Sequence, residues 1–246
     1  MLAATRNALS RVFLEPLLAT VFPCRCAGCH ASLRQPTLAP LCASCWQSLP
    51  RHPGPLCGCG WPLPAAVAGP CGRCRRGLSV FRIGFSFGPY SGTLRDLVLE
   101  LKYHNRRRVA ERFAEMIESD PQAAEILEAG GVLVPVPLHP RRCRERGFNQ
   151  SELLATALAG RARLPVAPRA LVRRRDTPTQ TGLSAARRRE NVRGAFAIRD
   201  RAKVAGRIVV LVDDVLTTGA TVRECATALL EAGARSVRVL TVARVV

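Results

Sequence analysis

Residues 208–221 constrain the fold more than any other part of the chain. They begin with five apolar, mostly β-branched residues, which predict a strand buried on both faces of a parallel sheet. Asp213 and Asp214 follow, then a loop rich in Thr and Gly, and then a helical pattern from about Ala220. Ligands of such sheets bind at the carboxyl ends of strands, and the N–H groups that open a helix attract phosphate. The segment therefore predicts a sugar-phosphate site, with sugar hydroxyls or a hydrated Mg²⁺ ion near the two acids.

The same residues resemble the phosphoribosyl-diphosphate (PRPP) motif of type I phosphoribosyltransferases, in which an apolar strand and two acids precede T-T-G-x-T. The resemblance implies that the loop binds the 5-phosphate of PRPP and that Asp213 and Asp214 hold the ribose hydroxyls. The substrate-binding positions that it implies are Val215, Leu216, Thr217, Thr218, Gly219, Ala220 and Thr221. The sequence contains no G-x-x-x-x-G-K-[ST], and no G-x-G-x-x-G follows a predicted strand, so other phosphate motifs have no support.

Nine of the eleven cysteines lie within residues 24–74, and eight of these form two sets of four. The first set is spaced C-x₂-C-x₁₂-C-x₂-C and the second C-x-C-x₁₁-C-x₂-C, which predicts two structural zinc sites. The expected ligands are Cys26, Cys29, Cys42 and Cys45, then Cys57, Cys59, Cys71 and Cys74. Cys24 belongs to neither set, and His30 is an alternative ligand. Because the Cys57/Cys59 pair is one residue tighter than usual, the number of ligands in the second site stays undecided. Reduced structural cysteines without metal are the alternative.

Composition divides the chain near residue 76. We expect an N-terminal helical segment over 1–22, a double zinc ribbon over 23–76, and a phosphoribosyltransferase-like domain over 77–246. In the last part predicted strands and helices alternate, which favours an α/β fold with a parallel sheet covered by helices on both faces. Strands are predicted at 80–87, 132–136, 195–198, 208–212 and 236–242, and helices at 93–103, 109–117, 151–162 and from about 220 to 233.

The net charge of +19 favours a polyanionic ligand or partner. Seven arginines lie in 173–193, which the polar composition predicts to be a long loop. Two interpretations stay open: a lid that closes over a departing pyrophosphate, or a basic face that binds nucleic acid. No apolar run is long enough to span a bilayer, so we expect a cytoplasmic protein. The segment 10–22 leaves contact with the inner membrane surface open.

Three further segments widen the resemblance: 101–103, 133–150 and 177–196. With the cysteines and residues 208–221, they are similar to the ComF family. The family combines an N-terminal zinc ribbon with a phosphoribosyltransferase-like domain, and some members are associated with DNA uptake in natural competence. Besides the two acids, the resemblance implies catalytic roles for Arg146 and Arg188. It adds as substrate-binding candidates Lys102, Tyr103, Pro137, Leu138, Asn149, Gln150, Gln180 and Asn191.

The resemblance implies a PRPP-binding protein that uses Mg²⁺ and serves DNA uptake or nucleotide metabolism. As an enzyme it would transfer phosphoribose to an acceptor and release pyrophosphate, but the sequence does not identify the acceptor. The alternative is a non-catalytic adaptor that senses PRPP or a nucleotide and binds single-stranded DNA and a DNA-uptake helicase. Aromatic residues make up only 5% of the chain, which argues mildly against base stacking as the main contact.

Overall fold

The computed structural model describes residues 25–33, 40–67, 69–77, 79–81, 83–177 and 185–246. The chain forms two compact units, Met1–Pro50 and Arg51–Val246. The helical segment expected over 1–22 lies outside the described residues. The second cysteine set belongs to the larger unit. The double zinc ribbon over 23–76 stays a prediction.

In the smaller unit, a pair of short backbone turns surrounds the first cysteine set. A bridge between Arg25 and Ser32 closes the turn that carries Cys26 and Cys29. Helix α1 (Ala43–Gln47) begins directly after Cys42. Leu41 and Trp46 are buried and supply a small apolar core.

A four-stranded sheet forms the centre of the larger unit. Its strands are all parallel and lie in the order β1-β6-β5-β2. The fold class predicted from sequence, an α/β fold with a parallel sheet, is confirmed. The four strands of this sheet are β1 (Ile83–Pro89), β2 (Val132–Pro135), β5 (Ile208–Leu216) and β6 (Ser236–Arg244). Strands β3 (Leu171–Arg173) and β4 (Phe196–Ile198) form a separate two-stranded sheet.

Strand β5 is longer than the predicted 208–212 because it pairs with β6 as far as the Leu216–Arg244 register. The two acids therefore lie inside the strand rather than just beyond it. Residues 209–214 of β5 are buried in succession, which requires cover on both faces of the sheet.

Helices flank the sheet. They are α2 (Gly72–Arg75), α3 (Gly92–Tyr103), α4 (Arg108–Glu118), α5 (Pro121–Glu128), α6 (Pro140–Arg146), α7 (Gln150–Ala162), α8 (Ala185–Val192) and α9 (Ala220–Glu231). The predicted helices correspond to α3, α4, α7 and α9. Helices α5 and α6 were missed because each is too short to show a period; each begins with Pro after a capping side chain, Asp120 or His139.

Among the described residues, no helix has both the length and the hydrophobicity that crossing a membrane requires.

The segment predicted as a long loop over 173–193 is partly regular. Strand β3 pairs antiparallel with β4, so the two ends of the segment lie side by side. Helix α8 follows the good helix-forming tendency of its Ala, Arg and Glu residues. Residues 178–184 lie outside the described part of the chain.

Candidate functional site

The loop between β5 and α9 combines a glycine with positive φ and an uncapped helix start. Gly219 has φ 76° and occupies the N-cap position of α9, where no side chain caps the first N–H groups. A positive φ favours glycine, and uncapped N–H groups at a helix start bind anions. The hydroxyl oxygen of Thr218 is buried and has no hydrogen-bond partner among the described residues. The loop thus offers donors that a bound phosphate would satisfy.

Two buried carboxyl groups lie just before this loop. Asp213 is 9% exposed and Asp214 is 3% exposed. Ser151 Oγ donates to Asp213 Oδ1 at 2.9 Å, and the backbone N–H of Asp214 donates to the same oxygen at 2.9 Å. Gln150 Nε2 donates to Asp214 Oδ1 at 3.1 Å, and Lys102 Nζ forms an ion pair with Asp214 Oδ2. The start of α7 and the end of α3 therefore hold both acids.

The two carboxyl groups differ in ionisation. Burial and the neighbouring Asp214 raise the pKa of Asp213. Burial also acts to raise the pKa of Asp214, but Lys102 and Gln150 outweigh it and hold that pKa below its usual range. At Lys102, burial acts to lower the pKa of the ammonium group, but the Asp214 carboxylate outweighs it and raises that pKa. Asp214 is thus the ionised member of the pair and Asp213 the one that keeps a proton more readily.

Arg146 connects this network to the surface. Its Nη1 donates to Gln150 Oε1 at 2.5 Å, and its guanidinium lies 5.2 Å from the centre of the Tyr103 ring. Tyr103 is 67% exposed. The structure therefore brings together predicted residues from three separate segments around Asp214.

Asn149 holds the start of α7 against the end of β2. Its side-chain oxygen accepts from Ser151 N at 3.1 Å, which caps the helix. Its Nδ2 donates to the carbonyl of Val136 at 3.0 Å. Because Gln150 and Ser151 follow directly, this cap sets the positions of both side chains that contact the acids.

Pro137 and Leu138 line a cavity of about 560 Å³ beside Asn149. Four charged residues also line the cavity: Arg144, Glu152, Arg169 and Arg173. Sequence analysis gave a role only to Arg173, as part of the arginine-rich segment 173–193. No motif marks Arg169, since it reaches the cavity only through the path of the chain after α7. Next to the cavity, Arg142 Nη2 donates to the Thr177 carbonyl at 2.7 Å and holds the start of the arginine-rich segment.

The remaining predicted residues are placed as follows. Gln180 lies outside the described residues, and Arg188 lies on α8 with a side chain that is not described. Asn191, also on α8, accepts at its carbonyl from Arg175 Nη2 at 3.2 Å. Leu216 and Ala220 bury their side chains, so only their backbone can face a ligand.

Each predicted cysteine set forms a compact group whose four sulfur atoms lie within 4.8 Å of one another. Zinc–sulfur bonds of about 2.3 Å in a tetrahedron place the sulfurs about 3.8 Å apart. Cys29 and Cys42 Sγ are 3.7 Å apart in the first group. In the second, Cys59 Sγ lies 3.6 Å from Cys57 Sγ and 3.7 Å from Cys71 Sγ. Both groups could therefore hold structural zinc.

Backbone N–H groups support the same interpretation. Cys42 N donates to Cys26 Sγ at 3.3 Å, and Cys71 N donates to Cys57 Sγ at 3.3 Å. The tight C-x-C pair does not prevent the second group from closing. His30 is not part of the first group, and Cys24 lies outside the described residues.

Similarity to known proteins extends over most of the chain. Residues 149–245 match the phosphoribosyl transferase domain family. The chain is 36% identical over 203 residues to DNA utilization protein YhgH of Salmonella typhimurium, covering 81% of this chain and 88% of the relative. It is 31% identical over 228 residues to Competence protein F of Haemophilus influenzae, covering 91% and 98%. Competence protein ComFC of Bacillus subtilis is 29% identical over 203 residues, covering 78% and 79%. This chain therefore belongs to the ComF family.

Proposed function

We propose that this protein binds PRPP with Mg²⁺ and transfers its phosphoribosyl group to an acceptor. One observation carries the proposal: β5 delivers an acid pair and an anion-binding loop to the same end of the sheet. Asp214 is held ionised there by Lys102, and Thr218 offers a buried hydroxyl without a partner among the described residues. An anionic group beside a hydroxyl-rich one is the ligand that this arrangement suits.

In the proposed complex the loop 217–221 binds the 5-phosphate through N–H and hydroxyl donors. The Asp214 carboxylate accepts hydrogen bonds from the ribose hydroxyls and stabilises positive charge that develops on the ribose ring. Arg146 donates to Gln150. In the proposed complex its positive charge stabilises the leaving pyrophosphate.

Carboxylate oxygens are preferred ligands of Mg²⁺, so the ionised Asp214 suits the ion. Because Ser151, Gln150 and Lys102 already contact the two carboxyl groups, Asp213 and Asp214 would hold it through water and ribose hydroxyls. When bound, the ion supplies neutralisation of the pyrophosphate charge.

Calorimetric titration with PRPP and Mg²⁺ tests the binding site. We expect the wild type to bind and the double variant Asp213→Asn/Asp214→Asn to lose binding. Asp96→Asn is a matched control because Asp96 is exposed on α3, away from the acid pair. Equal affinity of the wild type and the double variant would refute the proposed role of the acids.

The cavity beside Asn149 is our candidate for the acceptor site. Arg144 and Arg169 in its wall favour an acceptor that carries a carboxylate or phosphate group. Pyrophosphate release, measured over a panel of acidic and neutral amines, bases and nucleotides, tests this choice. Release should depend on an acidic acceptor and fall in Arg169→Ala. Retained PRPP binding without release from any acceptor would favour the adaptor function instead.

The adaptor is the second candidate, in which the protein binds single-stranded DNA and a helicase of DNA uptake. The net charge of +19 and the names of the relatives, which refer to DNA utilization and competence, favour it. Backbone contacts by arginine predict that affinity for an oligonucleotide falls steeply with salt. Affinity that is insensitive to salt would contradict this function. A cytoplasmic location stays a prediction.

A further inference from the structure

The second cysteine group is joined to the sheet of the larger unit by direct backbone contact. The N–H of Gly84 in β1 donates to the carbonyl of Gly58 at 2.8 Å. Gly60 has φ 74°, and a Cβ atom there would lie 2.8 Å from the Gly84 carbonyl oxygen. Only glycine permits this approach, so the turn that carries Cys57 and Cys59 rests against β1.

The group also shares the apolar core of the sheet. Cys57, Cys59 and Cys71 are buried in one hydrophobic cluster with Val209 and Leu211 of β5. A metal centre inside such a core differs from a loosely attached ribbon. Its loss would disturb the packing of the strand that carries the acid pair.

Arg73 links the group directly to residues 217–221 at the junction of β5 and α9, which we call the phosphate loop. It lies on α2 between two of the cysteines, Cys71 and Cys74. Its Nη1 donates to the carbonyl of Thr218 at 3.2 Å. Because a metal bound by the flanking cysteines fixes α2, it also fixes the origin of the Arg73 side chain. The bond fixes the direction of one carbonyl of the loop.

A second connection runs through Arg244 at the end of β6. Arg244 pairs in register with Leu216, the residue before Thr217. Its guanidinium stacks on Trp61, 4.9 Å from the ring centre, and it is 5% exposed. Its Nε and Nη1 have no hydrogen-bond partner within the described residues. Zinc with four thiolates carries net negative charge, so a filled centre would compensate this buried cation.

We propose that zinc in the second cysteine group positions the phosphate loop through Arg73, with Arg244 as the second connection, and so sets the affinity of the loop for a sugar phosphate. The inference rests on the proposed sugar-phosphate site. Arg73 is in this view a positioning residue, and the second centre has a functional effect that the first does not share.

Hydrogen exchange of residues 216–222 in the ligand-free protein tests the positioning. We expect several-fold faster exchange in Arg73→Ala than in the wild type, with the zinc content unchanged. Arg75→Ala is the matched control, because Arg75 lies on the same helix and is exposed. Cys59→Ser, which removes a ligand of the second centre, should accelerate exchange of the loop as well. Cys42→Ser in the first centre should leave it unchanged.

Titration with ribose 5-phosphate measures the effect on binding. Arg73→Ala should weaken binding about tenfold, which corresponds to ~1.4 kcal/mol. Arg73→Lys should restore part of the affinity, and Arg75→Ala should stay within about twofold of the wild type. Pyrophosphate binding should be the same in all of these variants, since Arg73 acts on the loop alone; a general loss of structure would weaken both ligands.

The two measurements separate the possible failures. If the wild type does not bind ribose 5-phosphate, the proposed function fails, and the exchange rates still decide whether Arg73 holds the loop. If Arg73→Ala and Cys59→Ser exchange as slowly as the wild type in 216–222, the positioning role is wrong. If exchange accelerates while ribose 5-phosphate affinity stays constant, the claim that the centre sets affinity is wrong.

Discussion

Lys102 and Asp214 form a largely buried ion pair that joins the end of α3 to β5. Their side chains are 18% and 5% exposed. The pair keeps Asp214 ionised at the end of the sheet where the phosphate loop begins. Lys102 contacts Asp214 Oδ2, and Gln150 donates to Asp214 Oδ1. Two elements that are distant in sequence, α3 and α7, therefore hold a single carboxylate. The site therefore depends on the packing of α3 and α7 as much as on the local 208–221 sequence.

Lys102→Met should destabilise the protein strongly. The change keeps the apolar stem but leaves Asp214 as an uncompensated buried charge, which costs about 3–5 kcal/mol. Urea unfolding followed by circular dichroism measures this loss. The double variant Lys102→Met/Asp214→Asn should recover a large part of it, because the buried charge is removed together with its partner. If the loss in the double variant equals the sum of the losses in Lys102→Met and Asp214→Asn, the two residues are not coupled.

The sequence predicted the parts of this site that are local. The strand, the acids and the Thr/Gly loop are consecutive, so periodicity and the motif were sufficient. Lys102 was predicted only through a resemblance. Its contact with Asp214 was not predicted, because that contact depends on where α3 packs. Arg73 carried no signal at all, since its partner is a backbone carbonyl far along the chain. Likewise, Cys spacing predicted both sulfur groups but not the burial of the second one in the core of the sheet.

Asn149→Ala should destabilise the protein by about 2 kcal/mol. It removes the cap of α7 and leaves the buried carbonyl of Val136 without the Asn149 donor. Because Gln150 and Ser151 depend on that cap, affinity for PRPP should fall too. Asp120→Ala, which removes the cap of α5, is the comparison: it should cost stability without changing affinity. Unfolding midpoints and PRPP titration measure both effects, and an equal loss of affinity in the two variants would contradict the specific role of Asn149.

Zinc analysis should give about two metal ions per chain. Cys42→Ser and Cys59→Ser should each lower the value to about one, but only Cys59→Ser should lower the thermal stability of the larger unit. The reason is that Cys59 lies in the core of that unit, whereas Cys42 belongs to the smaller one. Mass spectrometry under native conditions and calorimetric unfolding measure both quantities. One zinc in the wild type, unaffected by Cys59→Ser, would show that the second group is not a metal site.

Asp213 should make stability depend on pH in a direction opposite to that of a carboxylate whose pKa is lowered on folding. Burial and Asp214 raise its pKa above the usual 3.8, so the folded protein keeps a proton that the unfolded chain releases. The contribution of Asp213 is therefore fully present below its unfolded pKa and is lost as pH rises toward the folded pKa. Asp214 has a lowered pKa, and its contribution is instead present above its unfolded pKa and lost as pH falls through its folded pKa.

Asp213→Asn isolates the first of these effects, because asparagine keeps an acceptor for Ser151 Oγ and does not titrate. Unfolding free energies measured from about pH 5.5 to about pH 8 should show the wild type losing stability relative to Asp213→Asn as pH rises. Groups distant from the site titrate equally in both proteins, so the difference between the two curves reports Asp213 together with its coupled neighbours, Asp214 and Lys102. A difference that stays constant over this range, or one that favours the wild type at higher pH, would contradict the raised pKa of Asp213.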